Sequence, residues 1–405
     1  MRTFACKRVF LKGFPVLTFF AIVSLYAMQR SVYFKPSRLA DTLQALQDTQ
    51  KLNTKLSLRA RNISLSQAAS TIGSRKRSEG AALEKTTRGW FDKRPNVTAS
   101  KLNPADHPHF RGFAIENPGV CTNETVDVLI YFHSAVDHRN ERRVIRETWA
   151  SSQTFSDISV KRIFILGRTE DKLRQLQIET EQSAYGDLVQ GNFVDAFSNL
   201  THKALTLLVW VNAHCPQARY VAKADDDMFV DIYRVVKELV PQLASVPSGA
   251  ACDHKTDMDI IRSPGSKWCV DKSLLAGRSK WPPFCPGYFT LFTGSTVPKL
   301  YEASFSVRDF VPTDDAYLFG LLPERNVTLE IVNIHGVISP NVRANPEEEL
   351  KVQGKLEYLA FRANNAAEQT KIWSARSKKL TSWEQAHSFY HNALKAAGEK
   401  GVLVL

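Results

Sequence analysis

The sequence predicts an α/β domain on a mostly parallel central sheet flanked by helices, preceded by an apolar anchor and a polar spacer. Two observations carry this. Past Cys121, short continuous apolar runs alternate with longer stretches of mixed polarity, the pattern of buried parallel strands joined by helical crossovers. Before Cys121 the composition changes twice, from an uncharged block to a tract rich in Ser, Thr, Gln, Lys and Arg with no sustained apolar period.

Residues 1–12 hold Arg2, Lys7, Arg8 and Lys12 and no acid, a basic tail. Residues 13–28, "GFPVLTFFAIVSLYAM", are uncharged and as a helix span roughly 24 Å. With the apolar residues just upstream and Lys12 snorkelling, the segment reaches about 20 residues, adequate for the thinner membranes of the early secretory pathway. No small-residue cleavage site follows, so a retained transmembrane anchor is expected rather than a removed leader. Residues 29–112 read as a stem and 113–405 as the folded domain. Sequons at Asn62, Asn96, Asn123, Asn199 and Asn326 all follow the apolar block, as do five of the six cysteines, enough for two disulfides in an oxidising lumen.

The net charge of +12 is not spread evenly. The first 110 residues carry 19 basic against 6 acidic side chains, which leaves 34 against 35 for the remainder. A basic groove for nucleic acid is therefore not indicated.

Within the domain, "VDVLIYFHS" (126–134), "VKRIFILGR" (160–168) and "ARYVAKA" (218–224) read as buried strands, with helices at 140–152, 170–184 and 198–215. Right-handed crossovers then put Asp225, Asp226 and Asp227 just past the carboxyl end of a central strand, the edge where open α/β sheets bind ligands. Two readings are open for three adjacent carboxylates. One is a solvated acidic turn. The other is a divalent-cation site, in which the ion relieves the repulsion and oxygen ligands suit Mg2+ or Mn2+.

Five blocks occur in order: "RRVIRETW" (142–149), "FILG" (164–167), "YGDLVQGNFVDAFSNLTHKAL" (185–205) with "CPQARYVAKADDDMFVD" (215–231), "WPPFCPGYFTLFT" (281–293) and "FVPTDDAYLFGLL" (310–322). Together they resemble the inverting beta-1,3-galactosyltransferase and beta-1,3-N-acetylglucosaminyltransferase family of the secretory pathway. The resemblance implies a GT-A-like nucleotide-sugar-binding fold in a single-pass type II Golgi membrane protein with its catalytic domain in the lumen. It implies inverting transfer of galactose from UDP-galactose to an acceptor glycan on glycoprotein or glycolipid, and is compatible with an oligomer in the membrane. UDP-N-acetylglucosamine is the alternative donor; a sugar-binding or chaperone-like protein without catalysis is the alternative of another class.

The donor diphosphate gains charge as the sugar leaves, so a bound Mn2+ or Mg2+ is expected where that charge develops. By resemblance Asp227 is its direct ligand, with Asp225 a second ligand and Asp225 and Asp226 reaching the ion's shell or the ribose. Arg142 and Arg146, four apart on one helix face, are expected to reach the nucleotide, a surface salt bridge with a neighbouring glutamate being the competing reading. Asp195 and Lys203 fall in the longest block and are expected at the donor, a solvated helix face being the alternative for Lys203. Asp315 is expected to act as general base, with Asp314 orienting it or binding acceptor hydroxyls; an acidic first helical turn is compatible with both. Trp281, Phe284, Tyr288 and Phe289 offer rings for a sugar or for the core.

Two departures stand out. Gly287 is followed by Tyr288, Phe289 and Thr290 where the family has a second glycine and a tyrosine, so acceptor preference does not transfer. Arg362 stands where the family completes its metal shell with a histidine, which leaves His335, or the aspartates, diphosphate and water alone, to hold the ion.

Overall fold

The computed structural model of the chain describes residues 89–91, 97–343, 345–389 and 392. The expected tail, anchor and most of the stem, with Asn62 and Asn96, lie outside them. Among the described residues no helix is long and apolar enough to cross a membrane.

In chain order, β1 (Phe113–Ile115) and β2 (Val128–His133) are followed by α1 (Arg139–Glu147), β3 (Val160–Arg168), α2 (Lys172–Tyr185), β4 (Leu188–Val194) and α3 (Leu200–His214). Next come β5 (Tyr220–Asp225), β6 (Met228–Val230), α4 (232–243), β7 (Gly249–Cys252), β8 (Phe289–Thr293), α5 (Thr296–Ser304) and α6 (314–321). The chain continues with β9 (Glu330–Asn333), β10 (Ile338–Val342), α7 (Pro346–Gln353), β11 (Ala360–Arg362), α8 (Ala366–Arg376) and α9 (Ser382–His387).

Eight strands form one sheet in the order β1-β4-β3-β2-β5-β8-β7-β9. Its β4-β3-β2-β5 core is parallel, as the continuous apolar runs predict. β8 runs antiparallel to both β5 and β7, and β9 parallel to β7. A second sheet, β10-β11-β6, packs its Phe361 and Phe229 into the core.

Every residue of β2 is buried, and alternation along it splits the core between two faces. Val128, Ile130 and Phe132 join Tyr220, Ala222 and Ala224 on one face; Leu129 and Tyr131 join Val221 on the other, with the apolar residues of α3. Where β5 meets β2, His133 lies opposite Asp225 and Tyr131 opposite Lys223. The same parity therefore puts His133, Lys223 and Asp225 on the α3 face, at the carboxyl edge of the sheet.

The body begins earlier than composition suggested. Ser100 exchanges two hydrogen bonds with Asn212 of α3, Tyr301 donates to the Leu102 carbonyl at 2.9 Å, and His107 is buried. Residues 97–112 therefore pack on the domain, because a polar segment can still bury its backbone partners where the helices offer them.

Disulfides Cys121–Cys215 and Cys252–Cys285 tie the approach to β2 to the end of α3, and the end of β7 to the loop before β8. Asn123 and Asn326 sit exposed at left-handed turns, whereas the Asn199 amide donates to the Val194 carbonyl at 2.8 Å.

Candidate active site

The carboxyl edge of the sheet gathers a charged cluster around Lys223. Its Nζ, almost wholly buried, donates to the Gly287 carbonyl at 2.6 Å and lies 3.2 Å from both Asp225 and Asp314. A Cβ on Gly287 would stand 2.4 Å from that nitrogen, so a larger residue there would have to displace the ammonium. His133 Nδ1 lies 3.1 Å from Asp314. Burial alone would lower Lys223, but Asp225 and Asp314 outweigh it and hold the ammonium above its ordinary value.

Asp314 and Asp315 open α6, with Asp314 buried and Asp315 partly exposed. Asp315 accepts from Gly287 N at 3.0 Å on one oxygen and from Ala316 N at 2.8 Å on the other. The environments split the pair. Desolvation would raise Asp314, but Lys223 and then His133 hold it well below the usual carboxylate range. Asp315 is pushed up to about 6, first by desolvation and then by the charge of Asp314. One carboxylate is thus a fixed charge and its neighbour a proton acceptor poised near neutrality.

The aspartate turn is fixed from several sides. Asp226 is buried and meets His138 at 2.9 Å, and that hydrogen bond raises His138 to about 9. Gln369 of α8 donates to the Asp226 carbonyl, and Ala363 N to that of Asp227. Asp225 and Asp227 remain 43% and 40% exposed. Each has one oxygen on a cation: Asp225 on Lys223, and Asp227 on Arg362 at 2.8 Å. Desolvation raises both, Lys223 and Arg362 pull down respectively, and neighbouring carboxylates push up. Among the described residues no three His, Cys, Asp or Glu side chains converge as a ligand set.

The expected donor-side cations sit differently from the sequence reading. Arg142 is wholly buried, bidentate to Glu181 at 2.8 Å and bonded to Ser134 Oγ and the Ala135 carbonyl. Arg146 is buried on Asp187 and Glu181, its guanidinium stacked over Tyr185 and Phe164. Both face inward; in this arrangement neither offers its guanidinium to a nucleotide, and Arg142 instead holds the loop after β2. Lys203 is also buried, donating to the Ser134 carbonyl at 2.7 Å and pairing with Asp195 at 3.0 Å, so it is no solvated helix face. Asp195 in turn accepts from Gly167 N at 2.6 Å. A Cβ on Gly167 would meet the Asp195 backbone at 2.7 Å, so the ends of β2, β3 and β4 close together only with glycine there.

On the other side of Lys223 the edge continues through Asp253, which the sequence did not single out, and through Tyr288 and His335, which it offered as a ring for a sugar and as a candidate metal ligand. Asp225 N bonds the Tyr288 carbonyl before β8, and the register carries the edge to Asp253 after β7 and His335 after β9. Strand spacing puts Asp253 about 10 Å along from Asp225. Asp253 is buried and takes Tyr288 OH at 2.5 Å, Lys255 at 2.7 Å and His335 at 2.7 Å. His335 is thereby engaged away from the aspartate turn. Trp281, Phe284 and Phe289 are core residues, and Tyr288 alone of the four aromatics presents a polar end to the site. Lys223 was hidden inside an apolar run; a charged residue in a strand bounded by acids was the one available signal. A hollow of about 740 Å3 elsewhere, lined by Arg168, Lys172, Phe193 and Val194 among others, includes none of these groups.

Residues 140–333 match the family described as Galactosyltransferase. The chain is 32% identical over 221 residues to a protein of Pan troglodytes named beta-1,3-galactosyltransferase 5, covering 54% of this chain and 73% of that one. The chain belongs to the galactosyltransferase family. A mouse relative, beta-1,3-galactosyltransferase 1, is 28% identical over 55% of this chain and 67% of its own length. A galactosyltransferase-family member is a hexosyltransferase, and this chain is one. A mannosyltransferase from Pyrobaculum calidifontis, solved with GDP-Man and Mn2+, overlaps 80% of this chain and 84% of its own at 13% identity, with a TM-score of 0.29 that carries no argument.

Proposed function

We propose that the chain transfers galactose from UDP-galactose, with inversion, to a hydroxyl of an acceptor glycan, forming a beta-1,3 linkage. The observation that carries the reading is the separation of roles along one sheet edge. Asp225 and Asp227 stand partly exposed at the turn after β5, and Asp315, pushed up to about 6, opens α6 against the Gly287 N–H. That suits a displacement in which the nucleotide leaves from one face of the sugar while a base takes a proton on the opposite face. The acceptor oxygen bonds to C1, the bond from C1 to the diphosphate breaks, and the acceptor proton passes to Asp315. Asp314, kept ionised by Lys223 and His133, makes Asp315 the stronger base. Asp195 and Lys203 support donor binding by closing the strand ends, and Arg142 and Arg146 by holding α1 and the loop after β2.

Mn2+ or Mg2+ would be held by Asp225 and Asp227. The fit rests on the second oxygen of each, which takes no hydrogen bond from another described residue, and on the readiness of hard cations to keep water and substrate oxygens. When bound, the ion supplies countercharge to the diphosphate. The apolar block at 13–28 and the sequons support a type II Golgi protein with this GT-A-like domain in the lumen.

Full-length chain in detergent, given a panel of UDP-sugars and simple acceptor glycosides, is expected to release UDP with UDP-galactose and to make a β-linked product. Turnover with UDP-N-acetylglucosamine and none with UDP-galactose overturns the donor assignment.

A further inference from the structure

We propose that Arg362 is a ligand of the nucleotide diphosphate, giving UDP a protein-borne positive partner at the aspartate turn, so that UDP binding persists without a divalent cation. The inference rests on the nucleotide-sugar reading above.

Three observations point to it. First, Arg362 is built into place: β11 pairs antiparallel with β6, Arg362 lies opposite Met228, and the next residue, Ala363, donates its N–H to the Asp227 carbonyl at 2.9 Å. Its position relative to the turn is thus set by backbone and does not depend on a free loop. Second, only one end of the guanidinium is used. Nε meets Asp227 Oδ2 at 2.8 Å, the side chain is 55% exposed, and its two Nη nitrogens make no hydrogen bond to another described residue. The buried arginines behave otherwise: Arg142 and Arg376 direct Nε and both Nη nitrogens to protein oxygens. Third, no third carboxylate, histidine or cysteine joins Asp225 and Asp227 among the described residues, so the side chain that completes the cluster is a cation.

A guanidinium anchored through Nε leaves a planar pair of donors whose spacing matches two phosphate oxygens, and it stays charged at every working pH. Its contact with Asp227 also offsets part of that carboxylate's charge, which weakens Asp227 as a metal ligand. Part of the countercharge a diphosphate needs therefore resides on the chain itself.

The test is UDP binding by calorimetry to the full-length chain in detergent, in EDTA and in MnCl2. Wild type is expected to lose less than about tenfold in affinity on chelation, while Arg362→Ala loses about tenfold or more in EDTA, the scale of one charge-assisted hydrogen-bond pair. Arg362→His is expected to bind UDP in MnCl2 and about tenfold or more weakly in EDTA. Thermal unfolding of both variants reports that this exposed side chain leaves the fold intact. Wild-type binding that requires Mn2+, or Arg362→Ala binding in EDTA as tightly as wild type, overturns the inference alone. A wild type that binds UDP in neither condition overturns the nucleotide-sugar reading and this inference with it.

Discussion

Replacing Asp315 with Asn removes the proposed base while keeping the side-chain shape and one of its two acceptor oxygens. General-base catalysis contributes about 10²- to 10⁴-fold, so kcat for transfer should fall within that range. The pH dependence gives a sharper test. With Asp315 pushed up to about 6, the ionised fraction is about one-eleventh at pH 5, half at pH 6 and ten-elevenths at pH 7. The base works only when deprotonated, so the activity is present above this value and lost as pH falls through it. Wild-type kcat/KM should therefore rise about tenfold from pH 5 to pH 7 and then level, and the limb should vanish in Asp315→Asn. Coupled UDP release at saturating UDP-galactose, with acceptor varied across that range, measures both. A variant within about tenfold of wild type, or one that keeps the acid limb, refutes the assignment.

Lys223→Met should destabilise the domain by about 3–5 kcal/mol, because it strands Asp225 and Asp314 beside each other without their buried cation; urea unfolding checks this, and an unchanged midpoint contradicts it. Breaking Cys252–Cys285, whose partners are 33 residues apart, should cost about 3–4 kcal/mol by the chain-entropy estimate. Because Cys285 lies two residues before the glycine that holds Asp315, the acceptor KM should rise more than the UDP-galactose KM in steady-state assays of Cys285→Ser. His138 should titrate near pH 9 by NMR in wild type and fall toward its ordinary value in Asp226→Asn, since the hydrogen bond to Asp226 is what raises it.

The parallel half of the fold was legible because its strands are buried on both faces, so "VKRIFILGR" delimits β3 to the residue. α2 was legible as a stretch of mixed polarity between two apolar runs, and the structure adds an Asp171 cap at its start and a left-handed Gly186 at its end. The antiparallel half was not: "GAAC" of β7 has no apolar length, and residues 253–288 form an irregular excursion organised by a disulfide and a few bridges. At the site, position was legible where residue type and strand end coincide, as with the aspartates after β5 and at the start of α6. Legibility failed where long-range partners decide. The spacing of Arg142 and Arg146 suggests a shared face, but Glu181 and Asp187, some 40 residues on, determine that this face is interior. Asp253, Tyr288 and His335 come from three separate segments and meet only through the pairing of β8, β7 and β9.

The central claim, that the carboxyl edge around Lys223 is where a nucleotide-sugar reacts, is tested most plainly by a crystal structure of the chain with UDP. The diphosphate should lie against Asp225, Asp227 and Arg362, with Asp315 facing it across the space left for the sugar. UDP seated instead in the hollow lined by Arg168 and Lys172, or found nowhere on that edge, would contradict it.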